Sequence, residues 1–243
     1  MRNPWILATA STVALVGANE AYAAPVYNWT GFYIGVNGGA ASHDATTRDL
    51  NDWGSRFGPP AYVSPWFKST TTKATFGGQG GYSWQMSAFV LGVEADINYI
   101  GASQTFVPPN MLATACGLSC VATATNELNW VATFRGRAGF AVDRILIYGT
   151  AGVAVGEVSN SWGWDFNTPI RDSFSVSETR SGYVVGGGIE AMLTKNVSLR
   201  AEYLHIDLGT SRSTIVPFGG PTSFSSEFKN TADIGRAGLN FRW

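Results

Sequence analysis

Lysine, histidine and cysteine are all scarce in this chain of 243 residues. It has four lysines, two histidines and two cysteines, and its formal net charge at pH 7 is −1. Binding to a phosphate backbone needs clustered basic side chains, so we expect no nucleic-acid partner. Two histidines in separate segments are also a poor ligand set, and the composition therefore predicts no metal and no cofactor.

Long apolar runs are missing as well, except at the amino terminus. A basic start at Arg2 is followed by a mainly apolar run from Trp5 to Ala18 and by the sequence AYA, which ends at Ala23. The run is shorter than the roughly 20 residues that a membrane-spanning helix needs. We therefore predict a signal peptide over 1–23 and a single exported domain over 24–243. In that domain a membrane crossing would have to be made by strands.

The two cysteines lie close together. Cys116 and Cys120 belong to the sequence ACGLSCVA. In an exported chain, such a pair favours a disulfide that closes a small loop over a metal site, which would need two more ligands.

Alternation of apolar and polar residues with a period of two is abundant. In LNWVATFRGRAGF, the residues from Leu128 to Phe140 place Leu128, Trp130 and Phe134 on one face and both arginines on the other. Each such stretch is about ten residues long, which suits a tilted strand crossing a bilayer. Eight stretches have this character: 30–41, 73–85, 89–101, 127–141, 145–158, 179–193, 197–208 and 228–243.

The connecting segments alternate between short and long. The short ones contain QMSA, VDR and TKN, and the long ones are 42–72, 102–126, 159–178 and 209–227. Alternation alone also fits a soluble sandwich, but bacterial outer-membrane barrels combine short periplasmic turns with long extracellular loops. The sequence therefore predicts an all-β fold, an eight-stranded antiparallel transmembrane β-barrel with both termini on the periplasmic side.

With the apolar faces in lipid, several charged side chains point into the barrel. Since an unpaired buried charge costs several kcal/mol, acids and bases in so narrow a space are expected to pair. Glu94 and Asp96 lie across one hairpin from Arg135 and Arg137, which predicts contacts among these four. The pattern does not settle the facing of the fifth strand. The predicted lumen network comprises Glu94, Asp96, Arg135, Arg137, Glu190, Arg200, Glu202 and Arg236.

The chain finishes on a strand-like stretch, RAGLNFRW. Leu239, Phe241 and Trp243 share its apolar face, which we assign to lipid. The terminal aromatic ring is then expected in the interfacial girdle of the barrel.

Several of these stretches together resemble a known family. NWTGFYIGVNGGA (28–40), GVEADINYIG, YGTAGVAVGEV, YVVGGGIEAML, NVSLRAEYLHIDLG and RAGLNFRW run through the mature chain. They are similar to the porin-like outer-membrane β-barrel family of Gram-negative bacteria, small surface antigens often called outer-membrane immunogenic proteins.

The resemblance implies export through the inner membrane, insertion in the outer membrane and recognition of the terminal aromatic by the barrel assembly machinery. It also implies antigenic long loops and no catalytic residues. Some members are implicated in haemin binding, but the resemblance itself assigns no residue to it. Four tryptophans lie in or beside the long loops: Trp53, Trp66, Trp162 and Trp164. They are expected to be divided between the interfacial girdle and a contact patch for lipopolysaccharide sugars or a host surface. Self-association is a further hypothesis for a partner.

Three functions follow as hypotheses. A structural surface protein of the envelope with a filled lumen is favoured, because side chains can fill an eight-stranded barrel. A small-solute porin is the main alternative. Haemin capture is a further one, for which His43 in the first long loop and His205 are the candidate ligands. Catalysis is not expected, although His205 and Asp207 share a strand face, because no serine nucleophile is evident beside them.

Overall fold

The computed structural model describes residues 27–50, 67–106, 121–165, 171–215 and 224–243. The predicted signal peptide over 1–23 and the predicted Cys116–Cys120 disulfide lie outside the described residues. Over the described ranges, no helix is long and apolar enough to cross a membrane.

Eight antiparallel strands form a closed barrel in chain order, as predicted. Each strand pairs with its sequence neighbours, and β1 pairs with β8, so the sheet has no free edge. The strands are β1 (Gly31–Asp49), β2 (Phe67–Met86), β3 (Phe89–Phe106), β4 (Val121–Val142), β5 (Ile145–Asp165), β6 (Arg171–Met192), β7 (Val197–Ile215) and β8 (Phe224–Arg242).

The strands are staggered around the barrel. A row of paired residues that starts at Ile34 on β1 passes through Gly80 and Ala95 and returns to β1 at Asp44, ten positions further along. Closing a sheet with such a stagger requires the strands to tilt relative to the barrel axis. Because of this tilt, a row of paired residues that is followed from β1 to β2 and onwards around the barrel rises towards the extracellular end.

Tight periplasmic turns join three strand pairs. Ser87 and Asp143, with φ of 57° and 53°, adopt the left-handed backbone that two-residue hairpin turns use. A third turn over 193–196 joins β6 to β7. The short connections are where the sequence predicted them.

The strands are longer than predicted on the extracellular side. Residues 42–49 and 67–72 are in strands, although 42–72 was expected to be a loop. Serine and threonine on both faces remove the apolar alternation once a strand leaves lipid, but the backbone ladder continues. Hydroxyl pairs reinforce it, such as Thr105–Thr125 at 3.0 Å and Thr214–Ser225 at 2.9 Å.

An apolar belt surrounds the barrel below these extensions. On β1 the outward side chains are apolar or glycine from Phe32 to Ala40 and become polar at Ser42. Aromatic rings cluster at its periplasmic edge, where Phe32 contacts Tyr82 and stacks on Trp243, with centroid distances of 4.6 and 6.3 Å. A lipid-facing surface with an interfacial aromatic girdle has this arrangement, as the sequence predicted.

The predicted lipid-facing position of Leu128 is wrong. Leu128 points into the lumen and is fully buried, whereas Phe134 on the same strand faces outward. The pairing of β4 with β5 shifts register between Leu128 and Val131. A bulge inserts one extra residue into a strand, so the alternation of inward and outward side chains changes phase at that point. Counting every second residue through the bulge therefore assigns the wrong face beyond it.

Candidate functional site

The middle of the lumen is filled with charged side chains. All eight charged residues assigned to the lumen from the sequence face inward, and none is more than 6% exposed. Strands β3, β4, β6, β7 and β8 position them, because these strands place charged residues at alternate positions opposite the apolar belt. We call this set, together with Arg242, the charge layer.

Arg135 is the centre of the charge layer. Its Nη2 contacts a Glu94 oxygen and lies 2.6 Å from Asp96 Oδ2, while its Nη1 lies 3.1 Å from Glu202 Oε1. Its Nε donates to Thr133 Oγ1 at 3.0 Å, and that hydroxyl in turn donates to Asp96. Charge-assisted hydrogen bonds of this kind fix both partners in position.

Arg137 was predicted to contact Glu94 and Asp96 across the β3–β4 hairpin, but its main partner lies on another strand. Its closest carboxylate is Glu190 on β6, with Nη2 2.7 Å from Oε2, and Glu94 is further away at 3.6 Å. Its guanidinium also stacks over the Tyr148 ring, 4.0 Å from the centroid. The stagger brings β4 and β6 together across the lumen, which sequence neighbours alone do not indicate.

Two further arginines link β7 and β8 to β3. Arg236 lies 2.7 Å from Glu202 and 3.1 Å from Asp96, and Arg200 donates to Glu94 and, at 3.3 Å, to Glu202. The four acids and four bases thereby form one connected network across the barrel.

Three members of the lumen were missed by the sequence analysis. Tyr33 donates to Glu94 at 2.7 Å and Tyr148 donates to Glu202 at 2.9 Å. Arg242 donates to the Trp29 carbonyl at 2.8 Å and lies 3.6 Å from Glu190. Alternation in the last strand could have identified Arg242, because it shares the inward face with Arg236 and Asn240.

Apolar layers enclose the charge layer on both sides. On the periplasmic side, Trp29 is completely buried among Val90, Leu146 and Met192. On the extracellular side lies a larger cluster that includes Ile100, Leu128, Leu204 and Ile234. This order places the ionic network away from water, where unpaired charges would be most costly.

A polar layer lies further out, beyond the membrane-crossing part of β1. His43 is fully buried there, its Nε2 lies 3.3 Å from Asn230 Oδ1, and its carbonyl accepts a hydrogen bond from Gln104. Burial lowers the pKa of His43, although the contact with Asn230 opposes that change. The expectation that His43 lies in a loop is therefore wrong, and its ring is not at the surface.

The sequence matches a known protein family over most of its length. A model of the outer membrane protein beta-barrel domain matches residues 11–235. The 31 kDa outer-membrane immunogenic protein of Brucella melitensis biotype 1 is 32% identical over 244 residues, which cover 97% of this chain and 93% of that protein. The chain belongs to the outer membrane β-barrel family.

Other proteins are similar over most of the chain. The 22 kDa outer membrane protein of Rhizobium leguminosarum bv. viciae is 32% identical over 192 residues, covering 78% of this chain and 69% of that protein. Among solved structures, the outer membrane protein OprG of Pseudomonas aeruginosa has a TM-score of 0.45 and 12% identity, covering 89% of this chain and 99% of its own. The protein is an outer-membrane barrel, as the resemblance implied.

The second histidine of this outer-membrane barrel faces outward at the edge of the apolar belt. His205 Nδ1 lies 2.8 Å from Asp233 on β8, and Asp233 also accepts a hydrogen bond from Tyr203 at 2.5 Å. Asp207, which was considered as its partner, lies 3.7 Å from Lys229 instead. Among the described contacts of His205 there is no serine hydroxyl.

The other residues assigned from the sequence are those of the carboxyl terminus and the tryptophans near the loops. Leu239 and Phe241 on β8 face outward, Trp243 directly after the strand is exposed as well, and the Phe241 and Trp243 rings lie 6.2 Å apart. Their role as an assembly signal stays a prediction. Side chains of the tryptophans expected in or beside the loops lie outside the described residues.

Proposed function

We propose that this protein is a structural component of the outer membrane whose lumen does not conduct, and that its extracellular side acts as an antigenic surface. The observation that carries the proposal is the charge layer, a fully buried and connected network enclosed by two apolar layers. Ions crossing the barrel would have to disrupt many charge-assisted bonds at once. The names of the Brucella relatives support an immunogenic surface role.

A non-enzymatic role is part of the same proposal. His205 is bound to Asp233, and His43 is buried in the lumen wall, so neither is arranged as a general base beside a nucleophile. The same placement gives haemin capture no support, and no cofactor is proposed. Contacts with lipopolysaccharide, the barrel assembly machinery, a host surface or a second copy stay predictions.

Conductance of the purified, refolded protein in planar bilayers tests the proposal. We expect little steady current from folded barrels whose insertion is verified by their heat-modifiable migration on gels. Protein kept unfolded in denaturant before addition serves as the blank. A large and stable channel in the unmodified protein would overturn the proposal and favour a small-solute porin.

A further inference from the structure

An apolar groove of about 920 Å³ crosses the lipid-facing surface where the barrel closes. One row of paired residues along it runs through Val197 on β7, Phe241 on β8, Ile34 on β1, Gly80 on β2 and Ala95 on β3. The groove spans four interstrand steps of about 4.8 Å, or about 19 Å in all. It lies within the apolar belt, so its surroundings are hydrocarbon.

Glycines form the floor of this groove without being required by the sheet. A Cβ at Gly78 or Gly80 would meet its nearest atom at 3.6 or 3.5 Å, which is ordinary contact. Their inward neighbours differ, because a Cβ at Gly77 or Gly81 would lie 2.1 or 2.4 Å from a carbonyl oxygen of β3. Glycine in a strand interior weakens the strand and can mark a site where a ligand approaches closely. The missing side chains at Gly78 and Gly80 leave this part of the lipid-facing surface open to an occupant.

The groove climbs from the periplasmic face into the bilayer. Val197 is the first residue of β7, Phe241 lies one position before the end of β8, and Gly80 and Ala95 each lie six positions inside their strands. Since the strands tilt by about 40°, a path of about 19 Å along the row rises by about 12 Å, which is most of the roughly 15 Å of hydrocarbon in one leaflet. A chain that enters beside Val197 would thus end near the middle of the membrane.

A positive charge lies at the periplasmic mouth of the groove. Lys195 is exposed in the turn between β6 and β7, two residues before Val197. No ion pair within the described ranges involves Lys195, and at headgroup depth a lysine attracts anionic phosphate. The other exposed base in a periplasmic turn, Arg144, lies between β4 and β5, away from the groove.

We propose that this groove binds one acyl chain of a phospholipid of the periplasmic leaflet and that Lys195 holds the phosphate of the same lipid. The apolar lining suits hydrocarbon, and the complementary charge at the mouth fixes the polarity of the lipid. Because the groove crosses the β1–β8 junction, the bound lipid covers the strand pair that closes the barrel. The proposal depends on the outer-membrane location and not on whether the lumen conducts.

Electron spin resonance of reconstituted protein tests the groove. Vesicles of phosphatidylcholine would contain phosphatidylglycerol carrying a nitroxide near the end of one chain, and the immobilised lipid per barrel would be measured. Replacing both floor residues, Gly78→Leu with Gly80→Leu, is expected to remove about one immobilised chain per barrel. Ala95→Phe, which fills the upper end, provides an independent variant if the double variant does not fold.

A matched control exists on the opposite side of the barrel. Gly136 and Gly149 also face lipid, and a Cβ at either would find its nearest atom at 4.0 or 3.9 Å. Gly136→Leu with Gly149→Leu is expected to leave the immobilised fraction unchanged. An equal loss in both double variants, or no loss in either, would overturn the proposal.

The phosphate contact is tested separately. Lys195→Gln is expected to lower the preference for phosphatidylglycerol over phosphatidylcholine about fivefold, while Arg144→Gln leaves it unchanged. An equal effect of the two substitutions, or none, would overturn the assignment of Lys195. If filling the groove changes chemical crosslinking between barrels but not lipid immobilisation, the occupant is a second copy and the lipid proposal is wrong.

Discussion

At the scale of single residues, Glu94 has the densest set of partners. Four guanidinium groups lie within 4.0 Å of its carboxylate, those of Arg135, Arg137, Arg200 and Arg236. Glu94→Gln would leave these cations with one carboxylate fewer in a buried layer. Breaking a buried ionic network in this way costs about 3–5 kcal/mol, so we expect the free energy of unfolding in lipid vesicles to fall by that amount.

Glu178→Gln is the control for that measurement. Glu178 lies 2.6 Å from Arg180 on the extracellular part of β6, but both side chains are partly exposed, and such pairs contribute at most about 1 kcal/mol. Urea titrations followed by tryptophan fluorescence would compare the two variants. Similar small losses in both would mean that the charge layer contributes little to stability.

At the scale of strands, the extracellular extensions are the feature that distinguishes the structure from the sequence-based expectation. Residues 42–44 and 70–72 pair with each other in the ladder between β1 and β2. We expect their amides to exchange with solvent slowly, because hydrogen-bonded strand amides must open before they exchange. Hydrogen exchange of folded barrels, read by mass spectrometry, would check this against the denatured protein. Exchange as fast as in the denatured chain would restore the loop assignment.

The last strand carries a second prediction at this scale. Phe241 pairs with Ile34 on β1 and with Val197 on β7, and Trp243 stacks on Phe32. Removing residues 241–243 would shorten the closing pair and take away the interfacial aromatic, so we expect a large loss of outer-membrane assembly. The heat-modifiable fraction in isolated outer membranes measures it. Trp243→Phe keeps a ring and is expected to assemble well, whereas full assembly of the truncated chain would contradict the assignment.

Alternation predicted most of the fold, and its failures have physical causes. It identified eight strands, and it assigned Glu94 and Arg135 to the inward face that they occupy in the structure. It could not show the bulge that turns Leu128 inward, because both facings of a leucine look alike in a sequence. It also could not pair Arg137 with Glu190, since that contact depends on the stagger of the closed barrel. Alternation did not predict the strand extensions, because strand residues outside the lipid no longer need to alternate between apolar and polar.

At the scale of the whole molecule, the charge layer both braces the barrel and obstructs it. Arg135 and Arg137 together contact Glu94, Asp96, Glu190 and Glu202, so they connect β4 to three other strands. Changing both to serine would leave those carboxylates underpaired and would open space in the middle of the lumen. We expect a fall in the free energy of unfolding of several kcal/mol and the appearance of transient, cation-selective currents in planar bilayers.

The matched control for this double variant changes two exposed extracellular bases, Lys68→Ser and Arg212→Ser. Each is ion-paired, with Asp44 at 2.9 Å and Glu227 at 3.2 Å, but both project outside the lumen. Surface pairs of this kind contribute little, so stability and conductance are expected to match the unmodified protein. Suppose that the variant of Arg135 and Arg137 shows no current and keeps the free energy of unfolding of the unmodified protein. The apolar layers alone would then seal the barrel, because Trp29 on one side and the Ile100–Leu128 cluster on the other would suffice to exclude ions.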